Sequence, residues 1–358
     1  MSTATAIPQD WAATMRALGL QSRTFATPGG RALIGEIERG LSLVEGRLAT
    51  ELHFGDELAD ATARYLLDAG GKRVRPALVL LAAQLGDGVT DAVQIAATAI
   101  ELTHVATLYH DDVMDEAPLR RGRPSVHEVW GNAVAVLTGD LMFARASSMV
   151  ATLGEVALRL QAETFERLCL GQLRETVGPR PGEDEIAHYI QVLRDKTGSL
   201  LALAVQLGAV FSNAPASVVQ PLVTFGEQIG LAFQLIDDVL DLSAESKKTG
   251  KQVGTDLAAG VPTLPLLKLQ ARAAAGDADA QALLDRIEQA RAAGGDDPTH
   301  PSIAEVAAAL RAHDVTAETV AYAREVAADA VAALDELPKG TVRKALTAFA
   351  EHVIARTG

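Results

Sequence analysis

Twice in this chain a long apolar stretch with helical period ends on the same acidic spelling. "YHDDVMD" closes the first with Asp111, Asp112 and Asp115, and "FQLIDDVLD" closes the second with Asp237, Asp238 and Asp241. On a helix, positions i and i+4 share a face, so the outer aspartates of each motif project together while the middle one lies about 100° round from the first. Like charges so spaced destabilise a helix, and at its C-terminal end they also oppose the macrodipole. Read alone, one such motif is equally a solvated acidic helix end. Two of them, each inside apolar sequence where unpaired acids are costly, point to sites for hard divalent cations with coordination positions left for substrate phosphates.

The rest of the chain favours helices as well. Nearly half of the 358 residues are apolar and only 4% are aromatic, a balance poor in the β-branched and aromatic residues that sandwiches and barrels use. Helical periodicity predicts helices over roughly 32–52, 56–69, 73–86, 90–115, 132–153, 155–176, 183–212 and 215–243, with shorter ones to the end. No stretch alternates as strands do, and no linker forces a boundary. The expectation is therefore an all-α domain over 31–358, preceded by a loosely ordered arm at 1–30 that holds Pro8, Pro28 and a Gly-Gly pair. A net charge of −14 argues against a nucleic acid partner, which requires a basic face. Cys169, the one cysteine, cannot form an intrachain disulfide, and the first residues lack a secretory pattern, so a cytoplasmic location is expected. Apolar stretches such as "LLALAVQLGAVF" are too short and interrupted to span a bilayer, so no transmembrane segment is expected.

Cations accompany the acids. "GGKRVRP" sets Lys72 and Arg75 beside a Gly-Gly turn at a helix entry, where free N–H groups and the dipole also favour anions. Arg120 and Arg121 follow the first acidic motif, and guanidinium forks suit bidentate contacts with phosphate oxygens. An exposed basic loop offsetting the nearby acids is the alternative. "DKTGS" places Lys196 and Thr197 at a Gly interruption of a helical stretch, a site of exposed backbone groups or a simple kink. His104 lies seven residues before Asp111 on the same predicted helix, and is equally a packed core histidine.

In combination and order, "GGKRVRP", "ELTHVATLYHDDVMDEAPLRRGRPS", "GNAVAVLTGD", "DKTGSL", "FQLIDDVLDLS" and "GKQVGTDLAAGVPTLPLL" resemble the trans-isoprenyl diphosphate synthases, or polyprenyl synthetases, from about residue 66 to 267. The resemblance implies a bundle of antiparallel helices around a deep apolar cavity, with both aspartate motifs at its mouth. It implies three magnesium ions: Asp111 and Asp115 hold two, Asp237 the third, and Asp112, Asp238 and Asp241 contribute through water or secondary contacts. Arg120, Lys196 and Lys251 would hold the allylic diphosphate, and Lys72, Arg75, His104 and Arg121 would hold isopentenyl diphosphate. Carbonyl, hydroxyl and amide dipoles near Lys196, Thr197 and Gln234 would stabilise the allylic cation. Val261 stands where many members carry a second lysine.

The implied reaction is ionisation of an allylic diphosphate, attack by the alkene of isopentenyl diphosphate, and proton loss. A stripe of small residues, Ala96, Ala99, Thr103 and Ala106, precedes the first motif where bulky side chains would stop elongation, so a long-chain product is expected. The alternatives are a short-chain synthase making farnesyl or geranylgeranyl diphosphate, a terpene cyclase, or the noncatalytic subunit of a two-component synthase. Two intact aspartate motifs plus "GGKRVRP" argue against the last two. A homodimer is expected, with a peripheral membrane contact left open for product release.

Overall fold

Side-chain caps set where the principal helices begin. Thr27 accepts from the Gly30 amide ahead of α2 (Pro28–Glu51), whose first residue is a proline that has no N–H to satisfy. Asp56 caps α3 (Glu57–Asp68) and Thr90 caps α5 (Asp91–Met114) in the same way. The computed structural model describes residues 11–243, 253–294 and 297–356. The other helices are α1 (Trp11–Ala17), α4 (Val74–Ala83), α6 (Val126–Trp130), α7 (Asn132–Ala151), α8 (Glu155–Val177), α9 (Glu185–Leu193), α10 (Ser199–Phe211), α11 (Val219–Asp241), α12 (Thr255–Ala259), α13 (Leu264–Ala274), α14 (Ala278–Gly294), α15 (Pro301–Ala312), α16 (Asp314–Ala333) and α17 (Thr341–Ala355). The all-α expectation holds.

Contacts group the chain into two compact units. The first comprises Met1–Glu166, Leu200–Gly226 and Ala333–Phe349, and the second Arg167–Ser199, Glu227–Ala332 and Ala350–Gly358. In the first, α5 is the central element and packs on α7, α4 and α2. Tyr109 is fully buried there and donates to the Thr62 carbonyl at 2.6 Å, tying α5 to α3. Gly139 of "LTGD" lets α7 approach α5 closely, because a Cβ there would run into the His110 ring. In the second unit a cluster that includes Leu257, Leu269, Leu283, Ile287, Ile303 and Leu310 joins α12 to α15.

Four sequence readings need correction. Residues 11–30 are not loose: α1, a 3₁₀ turn at Arg23–Phe25 and the start of α2 bury Met15, Leu18, Leu20 and Phe25, a hydrophobic set too sparse to show as periodicity. Residues 1–10 lie outside the described part. A two-stranded ribbon, β1 (Leu119–Arg120) and β2 (Arg123–Pro124), closes on Arg121 and Gly122, both with positive φ (54° and 75°), the backbone of a type I′ hairpin turn. The stretch predicted at 183–212 is α9 and α10 joined through a π-helical turn, Arg194–Gly198. Finally, α7 is 20 residues long with a mean hydropathy of 1.3, enough by length and composition to cross a bilayer, so the expectation that no stretch is long enough fails for it. Its Ala135, Thr138, Gly139, Met142 and Ala146 are buried, as in a core helix.

Candidate active site

The first aspartate motif closes α5 through a Schellman-type cap. Asp115 is the C-cap, Glu116 turns the chain at φ 49°, and the Ala117 amide returns to the Asp112 carbonyl at 3.0 Å. Asp111 is half-buried and Asp115 exposed. Asp112 is buried, and its Oδ1 accepts from Arg120 Nε at 2.6 Å. Burial pushes the Asp112 carboxyl up, and Arg120 opposes that shift. Its Oδ2 is sealed from solvent with no hydrogen-bond partner.

The hairpin turn also aims Arg121, which donates to the Leu66 carbonyl at 2.7 Å and to that of Gly70, at the C-terminal end of α3. Beside it, Lys72 is exposed and Arg75 half-buried. Burial draws the Arg75 guanidinium down to about 10, partly offset by Glu101, with Arg121 pulling the same way as burial. The His104 imidazole is held well below its ordinary value, first by burial and then by Arg75, Arg121, Arg73 and Arg120, so it stays neutral. The structure thus gathers Lys72, Arg75, His104, Arg120 and Arg121 in one unit with Asp111, Asp112 and Asp115.

The second motif has other partners. Asp238 is buried and accepts from Tyr189 Oη at 2.7 Å and from the Leu264 amide at 3.2 Å. Burial pushes its carboxyl up to about 8, against those two hydrogen bonds. Arg356 Nη2 lies 2.7 Å from Asp237 Oδ1, and the guanidinium stacks over Phe233. Asp241 accepts from the Asp256 amide at 3.1 Å, in the first turn of α12. Gln234 is half-buried, one turn before Asp237 and Asp238. In the same unit, Lys196 and Thr197 ride the π turn, which is gripped from α8. There Arg167 and Arg174 reach Asp195 at 3.1 and 2.5 Å, and Glu175 pairs with Lys196. Gly171 permits that grip, since a Cβ there would lie 2.9 Å from the Asp195 Cβ. Lys251 lies outside the described residues. Val261 is exposed, and its amide donates to the Asp256 carbonyl at 2.9 Å.

The all-oxygen carboxylate sets suit magnesium, and the orphaned Asp112 Oδ2 is a free hard acceptor beside the outer pair. Among the described residues no three His, Cys, Asp or Glu side chains converge into a protein cage.

This pairing of acids with arginines has a counterpart among known proteins: the sequence matches the polyprenyl synthetase family over residues 56–296. The chain belongs to that family. It is 40% identical to a nonaprenyl diphosphate synthase of Mycobacterium tuberculosis, over 92% of this chain and 96% of the relative. It is 35% identical to heptaprenyl diphosphate synthase component 2 of Geobacillus stearothermophilus, over 90% and 98%. A polyprenyl synthase from Caulobacter crescentus, solved with calcium and isoprenyl diphosphate, superposes with a TM-score of 0.78 at 29% identity, over 99% of this chain and 100% of that one. The fold is the all-α isoprenoid synthase fold.

In this polyprenyl synthetase the motifs have supports that their spelling does not reveal. Arg73, Glu101, Tyr189, Asp195 and Arg356 were not singled out. Arg73 sat inside "GGKRVRP", and Asp195 inside "DKTGS", yet nothing in their spelling separates a ligand from a strut. Tyr189 and Arg356 meet Asp238 and Asp237 only through the fold.

Proposed function

We propose that the chain condenses isopentenyl diphosphate with an allylic diphosphate to make an all-trans long-chain polyprenyl diphosphate. Two aspartate motifs, each with cationic side chains in its own unit, carry this reading. The long-chain assignment is supported by the nonaprenyl and heptaprenyl relatives. Asp111 and Asp115 would hold two magnesium ions and Asp237 a third, and the calcium and isoprenyl diphosphate bound by the Caulobacter protein support an ion shared with substrate. When bound, magnesium supplies the charge that neutralises a leaving diphosphate.

The protein's own groups do the rest. Arg120, Lys196 and Lys251 orient the allylic diphosphate, and Lys72, Arg75, Arg121 and neutral His104 orient isopentenyl diphosphate. Thr197 and Gln234 turn their dipoles toward the developing cation, and apolar walls exclude water.

Ala96, Ala99, Thr103 and Ala106 are all buried, which suits an enclosed path for the growing chain along α5. Between Ala96 and Asp111 the helix rises about 22 Å, room for several isoprene units. Mass analysis of products from each allylic starter tests the reading, and Ala106→Phe should shift products to shorter chains while the first condensation continues. An unchanged length distribution would remove α5 as the path. We read the exposed Val136, Leu137 and Leu141 of α7 as the face that meets a second copy, which sedimentation of Leu137→Glu would check through loss of the dimer.

A further inference from the structure

Two arginines one residue apart in "GGKRVRP" have opposite surroundings. Arg73 is the N-cap of α4 in the left-handed conformation (φ 46°, ψ 36°), an uncommon position for a side chain of its size. Its side chain is 1% exposed. It donates to Glu45 of α2, to Glu101 of α5 at 3.2 Å, and to the Leu67 and Gly70 carbonyls at 3.3 Å. Its donors are thus spent on protein. Arg75 has no hydrogen bond or ion pair among the described residues, and its Nε is sealed without a partner.

The turn between them is fixed by the same group. Arg73 and Arg121 both donate to the Gly70 carbonyl, and a Cβ on Gly71 would lie 2.6 Å from Arg73 Nη1 and 3.2 Å from the Arg121 guanidinium. Gly71 has φ 152°, so backbone and guanidiniums meet at a spot only glycine fits. Glu45 and Glu101 both pair with Arg73, so among the described residues neither Arg75 nor Arg121 has a carboxylate in ion-pair contact.

We propose that Arg73 is a positioning residue for the isopentenyl diphosphate subsite: it binds the Glu45 and Glu101 carboxylates and locks the Gly70–Gly71 turn, leaving Lys72 and Arg75 free to grip the diphosphate. This rests on the reading above that these two residues bind that substrate. A lysine cannot replace Arg73, because one ammonium cannot span acceptors on α2, α5 and the end of α3.

The test is steady-state kinetics of Arg73→Lys with each substrate varied in turn, together with a melting curve. The KM for isopentenyl diphosphate should rise about tenfold, with the allylic KM within about twofold of wild type. Equal rises in both, or a lowered melting temperature with unchanged KM values, would make Arg73 a structural strut only and overturn the proposal. Should Arg73→Lys fail to fold, Glu45→Gln loosens the same strut from its half-buried end. It should raise the isopentenyl KM alone, by about threefold, and an unchanged value would overturn the proposal. Lys72→Ala serves as the control. If it leaves the isopentenyl KM unmoved, the substrate assignment has failed and not the role of Arg73.

Discussion

The two aspartate motifs have one spelling and two environments. Asp112 is buried against the Arg120 guanidinium, whereas Asp238 is buried against a tyrosine hydroxyl and a backbone amide. The Arg120 guanidinium opposes the upward push that burial gives the first middle carboxyl. Among the described residues the second accepts only from neutral donors, and burial raises it to about 8. The lesson is that one spelling leaves its middle aspartates fitted to whatever the surrounding helices bring.

The largest effect should come from the outer positions, where the two motifs are proposed to act alike. Asp111→Ala and Asp237→Ala should each lower kcat by about 10²–10³-fold with the helical circular dichroism intact. Near-normal turnover in either variant would end the equivalence. The middle positions should then separate. Asp112→Asn leaves Arg120 without its charged partner and should lower unfolding free energy by about 2–3 kcal/mol in urea titrations. Asp238→Asn keeps an acceptor for Tyr189 and the Leu264 amide and should lose about 1 kcal/mol or less. Equal losses would mean that the two environments differ less than their hydrogen bonds suggest.

The smallest effect probes the excess positive charge beside the first motif. Burial and four nearby arginines keep His104 neutral, while in the unfolded chain an imidazole takes up a proton near pH 6.5. The unfolded state therefore binds more protons below that pH, and stability falls as pH drops through it. Between pH 7 and 5.5 the wild type should lose about 2–4 °C of melting temperature more than His104→Gln, which has no proton to gain. Parallel curves would place a compensating anion at His104.

Much of this was legible beforehand because it is local. Helix period and the i, i+4 spacing of Asp111 with Asp115 depend on neighbours within a turn or so. The I′ ribbon was also local, but "RG" is a weaker hairpin signal than Asn-Gly, and it passed unnoticed. The packing of Met15, Leu18 and Phe25 was not local, so the N-terminal stretch looked loose.

By itself, then, the sequence determined an all-helical chain with two acidic helix ends and the cations to accompany them, since each of those follows from composition and short-range periodicity. Only the tertiary structure decided what each charge does. Arg73 and Arg75 are indistinguishable as letters, yet one meets Glu101, 28 positions away, and the other has a sealed Nε with no hydrogen-bond partner among the described residues. Asp238 finds Tyr189 across 49 positions. The protonation and availability of a buried group depend on desolvation and on partners delivered by packing, and neither quantity is a property of the residues beside it in the chain.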